Sequence, residues 1–293
     1  MKINNNLFIL FLFIVSCKND SDFDIQGHRG FRGLYPENSI IGFKKSIDIG
    51  VNTIELDVVI SKDNRVVVSH EPWISSHICV DGNLNQIRED IYKYNTYDLK
   101  YDQIKTFDCG IIGNKSFPNQ KKISSYKPTL NEVIHTIEKY SDSIQYTPLY
   151  NIEIKSSSAT DGIFHPEVSA FSQLVLDIVK KYNIQTRVTI QSFDFRVLQY
   201  INNYFPDIRL SLLVSENYDV KKNLKELGFN PYIFSPEFIY LNEEDIMYLK
   251  EKKIKIIPWT VNSYSDIANV LKFDIDGIIS DYPDRVIKLK KLE

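Results

Sequence analysis

From residue 23 to the C-terminus, short apolar runs alternate with stretches of helical period. The runs fall at 23–27, 53–60, 149–154, 187–191, 209–214, 232–235, 254–259 and 275–280. Strands alternating with helices argue for βα units and a parallel sheet. The helical stretches carry recognisable ends. Ile40, Phe43 and Ile47 share a face after Ser39, and Gly50 marks the stop. Thr129 and Glu132 have capping-box spacing ahead of Val133, Ile134 and Ile137. Asn242 precedes Glu243-Glu244-Asp245, with Lys252-Lys253 in the last turn, and Pro283 suits a first helical turn. Eight such units in a chain of 293 residues predict an α/β fold, a (β/α)8 TIM barrel forming a single domain over residues 25–293.

A further apolar run at 66–70 breaks the parallel count. Only Lys62 to Arg65 separate it from the second strand, and a parallel crossover needs a dozen residues or more. It is therefore expected to fold back as an antiparallel hairpin strand, turning at Lys62-Asp63-Asn64-Arg65. With Ser61 facing Val66, Val59 faces Val68 and Asp57 faces His70, so the hairpin delivers a histidine beside a carboxylate. Residues 71–127 read as a long loop insertion at the C-terminal face of the barrel. This insertion carries Trp73, several tyrosines and the phrase CGIIGNKSFPNQ, and it serves either substrate selection or a structural flap.

The first residues follow a different pattern. Lys2 precedes the apolar run LFILFLFIV from Leu7 to Val15, which stops at Ser16-Cys17. A basic start, a short apolar middle and a small residue before the break predict a signal peptide over 1–16. Ile14-Val15-Ser16-Cys17 is similar to the bacterial lipobox, in which the cysteine is acylated and becomes the new N-terminus, the alternative being a plain secretory peptide. The polar stretch after it makes 17–24 a tether. The expected product is an exported lipoprotein, anchored to the membrane through Cys17 in the periplasm, outer membrane or cell surface of a bacterium. Outside the cytoplasm disulfides are permitted, and the sequence leaves the pairing of Cys79 with Cys109 open. The formal charge of -3, unchanged in sense once Lys2 is removed, provides no global field for nucleic acid.

Candidate chemistry collects at the strand ends. In Glu55-Leu56-Asp57 the two carboxylates share one side of a strand, at the end where barrels keep their active sites. Hard oxygen ligands side by side suit a divalent metal, Mg²⁺ or Ca²⁺. Glu153 and Lys155 repeat the arrangement on the next strand, as a third ligand with a phosphate-binding lysine or as an ion pair alone. His28 ends the first strand between Gly27 and Gly30, and with His70 it supplies two groups suited to general acid and base work. Arg29 offers a fork for phosphate oxygens. His77, His135 and His165 receive no role.

The phrases HRG at 28–30, PEN at 36–38, ELD at 55–57, VVVSHE at 66–71, KPTLNEV at 127–133, NIEIK at 151–155, QSF at 191–193, WTVN at 259–262 and DGIISDYP at 276–283 together resemble the glycerophosphodiester phosphodiesterase family. The resemblance covers residues 25–287. It implies a metal held by Glu55, Asp57 and Glu153, catalysis by His28 and His70, phosphate contacts from Arg29 and Lys155, and a pocket lined by Gln191 and Trp259. It also implies a small-molecule glycerophosphodiester substrate, cleaved to sn-glycerol 3-phosphate and an alcohol. The nucleophile stays open between water and the neighbouring glycerol hydroxyl, as does the division of labour between the histidines. One departure is visible, because the family commonly has Asp after the second histidine and this chain has Glu71. The rival readings are a phospholipase on a similar barrel and a non-catalytic lipoprotein that binds a phosphorylated ligand. KPTLNEV and DGIISDYP speak against the first, and the intact set of polar residues against the second.

Overall fold

Eight parallel strands, β1 (Asp24–Gly27), β2 (Thr53–Ile60), β4 (Leu149–Ile154), β5 (Val188–Ser192), β6 (Arg209–Val214), β7 (Ile233–Pro236), β8 (Lys255–Ile256) and β9 (Gly277–Ser280), coincide with the eight predicted runs in a computed structural model. The structure describes residues 23–216 and 218–292. The lipobox and Cys17 lie outside the described residues. The strands pair in the order β8-β7-β6-β5-β4-β2-β1-β9. Backbone hydrogen bonds close the ring: Asp276 N donates to Ile256 O at 2.9 Å, Ile279 N to Pro258 O at 2.9 Å and Val261 N to Ile279 O at 3.1 Å. The result is a (β/α)8 barrel.

The predicted helix ends reappear as observed caps. The helix α1 (Ile40–Asp48) starts at Ser39, whose Oγ accepts from Gly42 N, and α3 (Leu130–Ser143) opens on the Thr129–Glu132 capping box. The barrel is ringed further by α4 (Val168–Lys181), α5 (Phe195–Tyr204), α6 (Val220–Leu227), α7 (Glu243–Glu251), α8 (Tyr264–Val270) and α9 (Pro283–Lys290), and α2 (Tyr101–Ile104) lies in the insertion. On β2, alternation sends Ile54, Leu56 and Val58 outward into the core shared with Phe43, Ile47, Ile134 and Ile137. Thr53, Glu55 and Asp57 are thereby left facing the barrel interior. That interior is polar in its middle layer. Asn151 Nδ2 donates to Gln26 Oε1 at 2.8 Å and to Gln191 Oε1 at 3.0 Å.

The antiparallel strand β3 (Val66–Val68) is present, but its register differs from the expectation by one residue. Val58 pairs with Val68, Val59 with Val67 and Ile60 with Val66. The cause is the turn. Asn64 takes a positive φ of 58° and donates its N–H to Ser61 O at 2.9 Å, while Ser61 N bonds Arg65 O at 3.0 Å. The loop therefore has three residues, 62–64, closed by an αL residue, and Arg65 belongs to the ladder rather than to the turn. Ser69 N, not His70, bonds Asp57 O, at 3.0 Å. His70 stands one residue beyond, where the chain has left the ladder.

The insertion has a small core of its own, built on Val59 and Val67 from the hairpin with Ile74, Ile78, Ile87 and Ile104. Cys79 and Cys109 are joined in a disulfide, with Cα atoms 3.9 Å apart. Val59 and Val67 pack this segment against the hairpin, and the disulfide staples the segment to itself.

Candidate active site

The turn after β1 is shaped by close backbone approach. Gly30 N bonds Gly27 O at 3.0 Å and Glu55 O at 3.1 Å. A Cβ at Gly27 would lie 2.2 Å from Gly30 O, and Gly30 has a φ of +88°, so both positions require glycine. The turn aims His28 across to β9, where its Nδ1 meets Asp281 Oδ1 at 2.7 Å. Burial pushes the His28 imidazole below its ordinary value, and the Asp281 charge only partly offsets this. Asn262 fixes Asp281 in turn, through Nδ2 to Oδ2 at 2.8 Å.

The carboxylates of Glu55, Asp57 and Glu153 converge so that their ligand oxygens all lie within 4.8 Å of one another. The ladder explains why, since Asp57 and Glu153 are partners across β2 and β4, and Glu55 projects to the same side of β2. Each is held by different neighbours. Glu55 accepts from Arg29 N at 2.7 Å and from Gln191 Nε2 at 2.7 Å. Asp57 Oδ2 accepts from Asn38 Nδ2 at 2.9 Å, with Arg29 Nε 3.3 Å away. Lys155 Nζ donates to Glu153 Oε1 at 2.7 Å and lies 3.8 Å from Asp57 Oδ1.

Charge at this cluster is unevenly compensated. Burial and the Asp57 charge drive the Glu55 carboxyl well above the usual range. Burial also raises Glu153, with Lys155 opposing and Asp57 reinforcing. For Asp57, burial is outweighed by Arg29, His70 and Lys155, and its carboxyl stays well below the usual range. Asp57 Oδ1 is buried and has no hydrogen-bond partner. Three converging carboxylates, one with an orphaned buried oxygen, fit a divalent cation taking hard oxygen ligands.

His70 faces the same cavity from the hairpin. Its Nδ1 meets Glu71 Oε1 at 2.8 Å, so the longer carboxylate at position 71 reaches the ring. Burial raises Glu71, but the His70 bond and the charges of His70 and Lys127 hold it at about 2. Lys127, buried beneath, donates to Ser69 Oγ at 2.7 Å. Of the remaining histidines, His165 is buried against Ser157, Thr160 and Pro166, and His77 and His135 are exposed.

A cavity of about 160 Å³ opens onto all of this, bordered by His28, Arg29, His70, Lys155, Gln191 and Trp259 among others. Every catalytic, metal and substrate-binding candidate named from the sequence within the described residues thus lies at one mouth. Gln191 is engaged on both ends of its amide, with Asn151 and Glu55. Trp259 donates Nε1 to Ser235 O at 2.9 Å and meets Phe193 edge-on at 5.5 Å between centroids. Sequence reasoning assigned no role to Glu37, which takes Arg29 Nη1 at 3.0 Å and Arg32 Nε at 2.7 Å, or to Asn38, Lys127, Asn262 and Asp281. All five lie inside the quoted phrases, and that was the available signal.

A barrel with paired histidine–carboxylate couples, a buried acidic cluster and two cations at its C-terminal mouth defines an enzyme of phosphate-ester chemistry. The model of the glycerophosphoryl diester phosphodiesterase family matches residues 28–285. The chain belongs to that family and is a phosphoric diester hydrolase. It is 30% identical to a glycerophosphodiester phosphodiesterase of Bacillus altitudinis, over 91% of this chain and 98% of the relative. To one from Caldanaerobacter subterraneus it is 28% identical, over 89% and 95%. A solved Silicibacter pomeroyi structure superposes with a TM-score of 0.81 at 25% identity, covering 92% of this chain and 95% of the other. An Oleispira antarctica phosphodiesterase in complex with the product sn-glycerol-3-phosphate has the same fold, with a TM-score of 0.73 at 19% identity and coverage of 92% and 96%.

Proposed function

We propose that the chain hydrolyses glycerophosphodiesters to sn-glycerol 3-phosphate and an alcohol in a metal-dependent reaction, with His28 and His70 as the acid–base pair. The carrying observation is that each histidine has Nδ1 committed to a carboxylate, 2.7 Å to Asp281 and 2.8 Å to Glu71. Such a partner fixes the tautomer and leaves Nε2 as the nitrogen available to the cavity. One imidazole takes the proton of the attacking water or glycerol hydroxyl as the new P–O bond forms, and the other protonates the departing alcohol oxygen. Where the glycerol hydroxyl attacks, water then opens the cyclic phosphate with the two imidazoles in exchanged roles. Lys155 and Arg29 attract the phosphate oxygens. Glu55, Asp57 and Glu153 would hold Mg²⁺ or Ca²⁺, which when bound supplies charge neutralisation at the phosphate. Gln191 and Trp259 border the pocket, Gln191 by bracing Glu55 and Trp259 as an apolar wall for the glycerol. The product held by the Oleispira antarctica protein and the names of the Bacillus and Caldanaerobacter relatives support this substrate. Residues 1–16 serve as a signal peptide and 17–24 as a tether from a lipidated Cys17, which places the barrel at a bacterial membrane surface outside the cytoplasm.

His28→Ala and His70→Ala are each expected to lower kcat by roughly 10²-fold or more, the scale of a positioned acid or base. A nitrophenyl phosphodiester, whose alcohol leaves without a proton, should restore turnover in whichever variant lacks the acid. Rescue of neither variant, with loss of metal affinity in either, would assign that histidine to metal binding or support instead.

A further inference from the structure

Beside the acid–base cavity lies a second one of about 240 Å³, which shares Glu153, Lys155 and Phe193 with it as walls. Besides Ile154 of β4, its other walls come from two segments outside the barrel strands: Pro72 and Trp73 at the start of the insertion, and the loop after β4, which includes Phe164. Trp73 and Phe164 are in ring contact at 5.9 Å, and the exposed Tyr92 stacks on Phe164 at 5.9 Å. These rings are held in place. Asn95 Nδ2 ties the insertion to the β4 loop by donating to Ile163 O at 2.7 Å, and the Trp73 Nε1 bonds Glu89 at 3.1 Å.

The polar groups of this groove are already used. Glu153 and Lys155 bond each other, His165 is bonded by Ser157 and Thr160, and Ser156 donates to Asp194 at 2.9 Å. The acids near it are hydrogen-bonded as well, Asp161 and Asp194 sharing Arg196 and Glu89 accepting from Trp73 and Ser76. What the groove offers a ligand is mainly aromatic and aliphatic surface, with the Glu153–Lys155 ion pair at its inner end. An alkyl group would exchange water for ring faces there.

We propose that this groove takes the non-glycerol alcohol of the diester and selects longer alkyl or aryl groups over short ones. The proposal rests on the glycerophosphodiester reading, in which the P–O bond to that alcohol breaks, a P–O bond to the attacking hydroxyl forms, and the proton of the latter ends on the departing oxygen. The groove then binds the leaving group, and Trp73 and Phe164 set specificity.

The test uses the metal-loaded full-length protein and esters of glycerol 3-phosphate with methanol, butanol and hexanol. Expected is a rise in kcat/KM of roughly two- to fourfold per added methylene. Trp73→Ala and Phe164→Ala should bring the hexyl-to-methyl ratio down toward one. A flat alkyl series overturns the proposal while leaving the diesterase reading standing. The wild-type series decides this whether or not the variants fold. Hydrolysis of none of the esters, the methyl ester included, would overturn the diesterase reading itself and the proposal with it.

Discussion

Glu55, Asp57 and Glu153 bring three negative charges into one buried cluster, against two positive charges from Arg29 and Lys155. The mismatch falls on Glu55, whose carboxyl is raised most by burial and by Asp57. A raised acid stabilises the fold only at low pH, and its contribution is lost as pH rises through the folded value. The metal-free site therefore keeps a proton to higher pH than an ordinary carboxyl, and binding a divalent cation should expel it. Calorimetric titration of the chelator-treated protein with Mg²⁺ or Ca²⁺, in two buffers of different ionisation enthalpy, should show a proton release that grows as the pH is lowered. Glu153→Gln should weaken affinity by more than roughly tenfold, at least the scale of a lost supporting partner. Unchanged affinity with a lowered melting temperature would instead make Glu153 a structural partner of Lys155. The acid positions were legible because alternation on a strand fixes their face whatever the tertiary detail. Asp281 was not, since its contact with His28 spans 253 positions of sequence and is set by barrel closure.

Elements were read more accurately than their registers. Every parallel strand and the principal caps follow from apolar runs and capping residues, which are local properties. The hairpin register differs by one because Lys62 to Arg65 reads as a four-residue turn, whereas Asn64 in the αL region closes a loop of three. A one-residue slip exchanges which side chains meet, yet His70 still reaches the site because it lies past the last ladder pair. The insertion was visible only as a long gap, and its small core depends on contacts no period encodes. Its disulfide closes a loop of sequence separation 30. Replacing both Cys79 and Cys109 by Ser should cost roughly 2–4 kcal/mol of stability, concentrated in residues 71–127. Hydrogen exchange should show protection lost there first, with β2 and β4 little altered. Uniform loss across the barrel would mean that the insertion is not a separate stabilising unit.

At the scale of the whole molecule, the barrel gathers residues from β1, β2, β4, β5 and the end of β9 at one mouth, as strand ends in a closed parallel ring must. The tether proposed at 17–24 would hold the barrel near a membrane, a source of glycerophosphodiesters. Cys17→Ser is expected to abolish incorporation of a labelled fatty acid and release the protein into the soluble exported fraction. Label retained by the serine variant would contradict the anchor. The central claim joins the acidic cluster to the diesterase reaction, and one assay bears on it directly. Protein stripped with a chelator should release no sn-glycerol 3-phosphate from glycerophosphocholine, and Mg²⁺ or Ca²⁺ should restore release in the wild type but not in Glu55→Gln. Full turnover by the stripped protein, or restoration in Glu55→Gln equal to that of the wild type, would contradict the account.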